Sequence, residues 1–173
     1  MPAPNDIPSI KAKLIEERAK LLESFKGLSV QVMMASTADA WSIKDILAHV
    51  ANSERVNVKF ARLIVEKDSP VQLRELAADY PDFKQKFTLD NFNAYMTDKL
   101  RAQSLVESLA ALHATRAETL KWMDTLTPSD LERAGGHAVW GEQTVNGMFR
   151  ILVIHDKMHR ADIEKKLQVA SVK

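Results

Sequence analysis

Apolar residues recur at intervals of three and four along four stretches of the chain, the spacing of one face of an α-helix. These stretches span roughly residues 10–25, 42–67, 104–126 and 144–167. No stretch shows the convincing alternation of apolar and polar residues that is typical of a half-buried strand. The pattern therefore predicts an all-α protein, most simply a four-helix bundle.

Helix starts are marked by capping boxes, in which an N-cap hydroxyl and an acidic residue three positions later bond to each other's backbone amides. The sequence contains three such pairs: Ser42 with Asp45, Ser104 with Glu107, and Thr127 with Asp130. Trp41 and Ile46 flank the first box at the positions of a hydrophobic staple. Pro128 follows Thr127 at the first helical position, which predicts a further short helix there.

The long connection between the second and third predicted helices, residues 69–98, has a weaker pattern. It contains both tyrosines and several phenylalanines around Pro81, and we expect one short helix after Asp90. Such a connection either packs over one end of the bundle or forms the wall of a pocket. The glycine-rich stretch "AGGHAVWGEQ" before the last helix is expected to be a loop.

Composition narrows the possible functions. The chain has 173 residues, a formal net charge of +1 and no cysteine. Near-zero net charge disfavours nucleic acid as a partner, and the lack of cysteine excludes disulfides and thiolate ligands. The start lacks a signal-peptide pattern and no apolar run is long enough to span a membrane, so we expect a cytoplasmic protein. We expect one domain over residues 1–173, with its core at about residues 10–168.

Three of the five histidines fall on apolar helix stripes: His49, His155 and His159. A single buried histidine is more often a core residue than a ligand, because its nitrogens can bond to backbone carbonyls. His155 and His159, however, are four residues apart, so both rings can point at one ion. His49 could supply a third nitrogen from a facing helix. His113 is expected at the surface and His137 in a loop, both outside this site.

The stretch "HDKMH" also resembles the H-E-x-x-H helix of zinc proteases. That interpretation fails because Asp156 is one methylene shorter than glutamate and no histidine follows His159 in the printed sequence. We therefore expect Asp156 beside the apolar stripe, at the surface or paired to a cation.

Three stretches resemble the DinB-like (YfiT-like) superfamily of metal-dependent enzymes over about residues 10–168. They are "WSIKDILAHVANSE", "SLVESLAALHATRAETLKWMDTLTPSDLERAG" and "HAVWGEQTVNGMFRILVIHDKMHRADIEKKL". The tryptophan before the His49 helix, the W-G-E-x-T entry and the H-x-x-x-H helix occur in the family's order. The resemblance implies a four-helix bundle, and the sequence pattern places the long connection between helices two and three.

The resemblance also implies a divalent metal, zinc or nickel, held by His49, His155 and His159. It implies a small-molecule substrate, with hydrolysis or transfer of a low-molecular-weight thiol as the reaction, and a homodimer. The alternative is a non-catalytic metal- or ligand-binding bundle with a role in stress. Candidates for orienting the histidines are Asp45, Asn52, Ser53 and Glu142, and Trp140 either shapes the pocket or packs against the bundle end.

Overall fold

The computed structural model describes residues 6–36, 41–67 and 69–170. Within these ranges the chain forms seven α-helices, one 3-10 helix and one β-hairpin. The helices are α1 (Ile7–Glu23), α2 (Val30–Met34), α3 (Ile43–Glu66), α4 (Leu89–Arg101), α5 (Leu105–Met123), α6 (Pro128–Glu132) and α7 (Val145–Ala170). The 3-10 helix is Leu73–Asp79, and the strands are β1 (Ala134–His137) and β2 (Gly141–Thr144).

Helices α1, α3, α5 and α7 pack together as the four-helix bundle, and α4 packs against α3. This confirms the predicted fold class. All three predicted capping boxes form, at the starts of α3, α5 and α6. The stretch between α3 and α5 contains the 3-10 helix as well as α4, which at 13 residues is longer than predicted. The short helix α2 was not predicted.

The predicted loop at residues 134–143 is wrong, because β1 and β2 pair there as an antiparallel hairpin. The glycines of this stretch showed no alternation of apolar and polar residues that would predict a strand. They nevertheless allow the hairpin to pack closely against neighbouring segments. A Cβ on Gly135 would lie 2.8 Å from the Ile64 side chain and 3.0 Å from the carbonyl oxygen of Val71, and one on Gly136 would meet the end of the Gln72 side chain. The backbone amide of Gly136 also donates to the carbonyl of Val71.

The buried core consists of two apolar clusters along the bundle axis, with a layer of four charged side chains between them. Each bundle helix contributes one of these residues: Arg18 from α1, Glu54 from α3, Arg116 from α5 and Asp156 from α7. All four are between 1 and 5% exposed. We call them the charged layer. Two cations and two anions make it neutral overall.

The charged groups of this layer form hydrogen bonds with one another and with the backbone. Arg18 contacts both oxygens of Asp156 at 3.0 Å and Glu54 Oε2 at 2.7 Å. Arg116 contacts both oxygens of Glu54, at 2.8 and 3.2 Å, and Asp156 Oδ2 at 3.1 Å. The two guanidinium groups also donate to the backbone carbonyls of Leu112 and Leu14. Asp156 is therefore buried and paired with two cations. Of the two locations expected for it, pairing with a cation is confirmed and the surface is wrong.

Replacing Arg116 with methionine tests the energetic role of the charged layer. The substitution leaves two buried carboxylates facing one guanidinium, and breaking such a pair costs about 3–5 kcal/mol. We expect a loss of that size in the free energy of unfolding, measured with urea on metal-free protein. Lys26→Met, which removes an exposed ion pair with Glu23, should change it little. Equal effects of the two substitutions would contradict this role.

The acid sensitivity of the fold should depend on Glu54. Burial alone would raise the pKa of this carboxyl, but Arg116 and Arg18 outweigh burial and lower the pKa below its ordinary value of 4.5. As the pH falls, Glu54 is therefore protonated at a higher pH in the unfolded chain than in the folded protein. The stabilisation by Glu54 is complete above about pH 4.5 and is lost as the pH falls through the folded-state pKa.

We expect Glu54→Gln to flatten the dependence of unfolding free energy on pH in the acid range, in urea titrations of metal-free protein. Glu23→Gln, at an exposed position near the end of α1, is the matched control and should keep the wild-type slope. Parallel curves for wild type and Glu54→Gln would show that this carboxyl does not set the acid response.

Candidate metal centre

The three predicted ligand residues meet between α3 and α7. His49 lies two turns into α3, and its Nε2 atom is 3.1 Å from Nε2 of His155 on α7. Nε2 of His159, one turn further along α7, is 3.2 Å from the same His155 atom. One nitrogen from each ring lies within 4.8 Å of the other two. The helical spacing and the packing of α3 on α7 therefore bring all three together.

The two contacts of His155 Nε2, at 3.1 and 3.2 Å, suit a divalent metal ion. Two ligands that each bind at ~2.1 Å and subtend 90–109° at the ion are about 3.0–3.4 Å apart. Each N–H···N hydrogen bond joins one donor nitrogen to one acceptor nitrogen. Without an ion, one such bond pairs only two of the three imidazole nitrogens and leaves the third without a partner among them. The approach of His49 Nε2 and His159 Nε2 to the same atom of His155 thus fits a shared cation.

The ring of His159 is oriented by a carboxylate. Its Nδ1 atom lies 3.0 Å from Oδ2 of Asp162, one turn along α7. A carboxylate accepts the Nδ1–H, which leaves the Nε2 lone pair free to face the centre. Sequence reasoning missed this residue, although its spacing of three from His159 is a helical contact that could have indicated it.

Burial keeps the three imidazoles in the neutral form that a metal requires. Desolvation, followed by the charge of His159, lowers the pKa of His49 to about 4. Desolvation, followed by the neighbouring histidines, lowers the pKa of His155 well below its ordinary value, with a smaller contribution from Arg18. Desolvation also lowers the pKa of His159, although Asp162 opposes the shift. No ligand proton needs to be displaced near neutral pH.

The three histidines form part of the wall of a cavity of about 630 Å³. Residues of α4, including Asn93 and Thr97, line it as well, and so do His137, Val139 and Trp140 of the hairpin. The long connection therefore does form a pocket wall. It also packs on the core, through a cluster of aromatic rings: Tyr80, Phe83, Phe87, Phe92 and Tyr95.

The other two histidines differ from each other. His113 is exposed on α5, as expected. His137 is buried at the end of β1 and lines the cavity, so its expected location in a loop is wrong. The glycines beside His137 gave no alternating pattern that would predict a strand, and no periodicity in the sequence indicated that His137 is buried.

The residues considered for orienting the histidines have other contacts. Asp45 completes the cap of α3 and pairs with Lys44. Asn52 and Ser53 line the cavity, where Asn52 Oδ1 accepts from Arg55 and Ser53 accepts from Asn57. Glu142 is exposed on β2.

Both tryptophans considered from the sequence also line the cavity. The Trp41 ring lies 4.8 Å from the ring of His49, centroid to centroid, besides packing at the start of α3. Trp140 is half exposed at the hairpin turn. Both side chains therefore shape the surroundings of the centre.

None of the described helices combines the length and apolar character that crossing a membrane requires.

Solved structures share this fold. YfiT from Bacillus subtilis, described as a probable metal-dependent hydrolase with an unusual four-helix bundle topology, has a TM-score of 0.66 at 16% identity, over 95% of this chain and 87% of that chain. A Streptococcus pneumoniae protein has a TM-score of 0.72 at 16% identity, over 94% and 91%. A Clostridium difficile 630 protein has a TM-score of 0.71 at 14% identity, over 95% and 96%. At such identities the matches show the fold.

No curated protein matches the sequence. The model of the DinB superfamily matches residues 13–163, a range that includes all three histidines of the centre. The chain therefore belongs to the DinB superfamily.

Proposed function

We propose that this protein is a metal-dependent enzyme that acts on a small molecule, with His49, His155 and His159 as the ligands of a zinc or nickel ion. The observation that carries the proposal is the convergence of three neutral Nε2 atoms on the wall of a cavity. The likeness to YfiT, described as a probable metal-dependent hydrolase, supports it. Hydrolysis is the reaction that we favour, and thiol transfer is the second candidate.

Three protein ligands are typical of catalytic rather than structural zinc sites, because they leave coordination positions for a water or a substrate. When bound, the ion supplies a Lewis acid that lowers the pKa of water or of a thiol towards neutrality. The chain has no cysteine, so in the second candidate reaction the thiol comes from a co-substrate.

The protein's own residues hold and orient the site. Asp162 keeps His159 in the tautomer that presents Nε2. Asp156 is held by Arg18 and Arg116, so it is not free to act as a general base beside the centre. Four further properties stay predictions from the sequence and the family resemblance. They are a homodimer, a cytoplasmic location, a role in stress and a single domain over residues 1–173.

Metal content tests the ligand set directly. We expect about one divalent ion per chain, measured by mass spectrometry after purification without chelators. His155→Ala should lose the ion, because His155 is the ring within 3.2 Å of both others. His113→Ala removes an exposed histidine of α5 and should keep it. A metal-free wild type, or full occupancy in His155→Ala, would contradict the proposed ligands.

A cobalt-substituted protein separates an enzyme from a structural metal site. If coordination positions are open, a low-molecular-weight thiol such as 2-mercaptoethanol should change the visible spectrum, and hydrolysis of small ester and amide substrates should require the ion. If removing the metal lowers the melting temperature but neither response occurs, the non-catalytic bundle is the correct interpretation.

Asp162 should strengthen metal binding without being a ligand. Outer carboxylates of this kind typically contribute 10- to 100-fold in metal affinity or activity, and the exposure of Asp162 places it at the lower end. We expect Asp162→Asn to weaken zinc affinity about tenfold in competition with a chromophoric chelator. Glu164→Gln, on an exposed residue of the same helix, is the control. Unchanged affinity in Asp162→Asn would show that the carboxylate does not support the site.

A further inference from the structure

His137 gives the cavity a second chemical feature, apart from the three histidines of the centre. It is the last residue of β1, lies at the cavity wall and is 6% exposed. Its ring packs edge-on against Phe60, with the centroids 6.3 Å apart. The ring is thus held in place by the bundle core as well as by the hairpin.

The hydrogen bonds of His137 identify which ring nitrogen carries the proton. The backbone amides of Val139 and Trp140 both donate to Nδ1, at 3.2 and 3.3 Å. A nitrogen that accepts two hydrogen bonds carries no hydrogen, so in the neutral ring the hydrogen is on Nε2. Burial lowers the pKa of His137 to about 4, which keeps the ring neutral at pH 7. His137 therefore offers one fixed N–H donor.

The cavity wall also contains polar atoms that have no hydrogen-bond partner. Among the described residues, Oδ1 of Asn57 and Oγ1 of Thr97 are buried without a hydrogen-bond partner. The other amide atom of Asn57 donates to Ser53 within α3. These groups are uncharged, whereas the charged residues that line the cavity, Asp90, Asp98 and Arg101, are exposed to solvent.

Besides these exposed charged residues, the rim of the cavity has an apolar side. Val139 and Trp140 of the hairpin turn and Ile154 and Met158 of α7 all line the cavity, and each is an exposed large hydrophobic side chain. Small-molecule sites combine such apolar surface with a few placed polar groups. The two hairpin residues are also the ones whose amides hold His137, so the turn positions the donor and the apolar surface together.

We propose that the cavity binds a small, uncharged, amphipathic molecule, and that Nε2–H of His137 donates a hydrogen bond to its carbonyl or comparable acceptor oxygen. Val139, Trp140, Ile154 and Met158 cover the apolar part of that molecule. His137 is then a substrate-binding residue. The inference rests on the proposed function only in taking this cavity as the substrate site.

Two probes of matched shape test the inference: acetophenone, which has a carbonyl oxygen, and α-methylstyrene, in which a methylene group replaces it. Binding is followed by NMR of ¹⁵N-histidine-labelled protein, with and without zinc. We expect acetophenone to shift the Nε2–H signals of His137 and to bind about fivefold more tightly than α-methylstyrene, the ratio typical of one hydrogen bond. The preference should occur in both forms, because it does not require the ion.

His137→Asn provides the matched variant. Its side-chain oxygen can still accept from the turn amides, but its amide nitrogen lacks the reach of Nε2, so the preference for acetophenone should disappear. His113→Asn, at an exposed site on α5, should keep it. Equal affinity of the two probes for the wild type, binding of neither in the millimolar range, or binding that leaves the His137 signals unmoved would each overturn the inference. Failure of the wild-type protein to bind zinc would instead overturn the proposed function.

Discussion

The charged layer of Arg18, Glu54, Arg116 and Asp156 is the constraint on which the arrangement of the bundle depends. Each of the four helices contributes one side chain, and each carboxylate contacts both guanidinium groups. Buried charges without partners are far more costly than exposed ones, so rotating or sliding one helix would leave a partner unpaired. Apolar clusters on either side tolerate small shifts of packing better than this network does. The layer therefore specifies the rotation and register of α1, α3, α5 and α7 together.

The candidate metal centre depends directly on that register. His155 precedes Asp156 on α7, and His49 lies five residues before Glu54 on α3, so the contacts that hold the layer also set where the imidazoles meet. Because the layer is neutral overall, it places no net charge beside the three histidines. Burial then dominates their protonation, and all three remain neutral imidazoles near pH 7. The bundle thereby provides three neutral imidazoles, with the carboxylate of Asp162 as the charged group that contacts one of them.

The rest of the cavity is built by connections rather than by the bundle. Helix α4 and the hairpin lie across the side of the bundle where the histidines meet, and they supply polar groups and an apolar rim. Gly135 and Gly136 let β1 pack against Ile64 and Gln72, which brings His137 to the cavity wall. The bundle thus positions the candidate metal ligands, and the connections decide which molecule can lie beside them.

The sequence by itself determined the features that depend on neighbours along the chain. Helix stripes, the three capping boxes and the spacing of His155 and His159 are local, and the structure contains all of them. The resemblance to the DinB-like superfamily added the family and its expected ligand set. Only the tertiary structure decided that Arg18, Glu54 and Arg116 are buried, since in sequence they look like ordinary charges on a helix surface. It also decided the hairpin and the placement of His137, because both depend on backbone pairing and close packing between distant segments, which leave no periodic pattern in the chain.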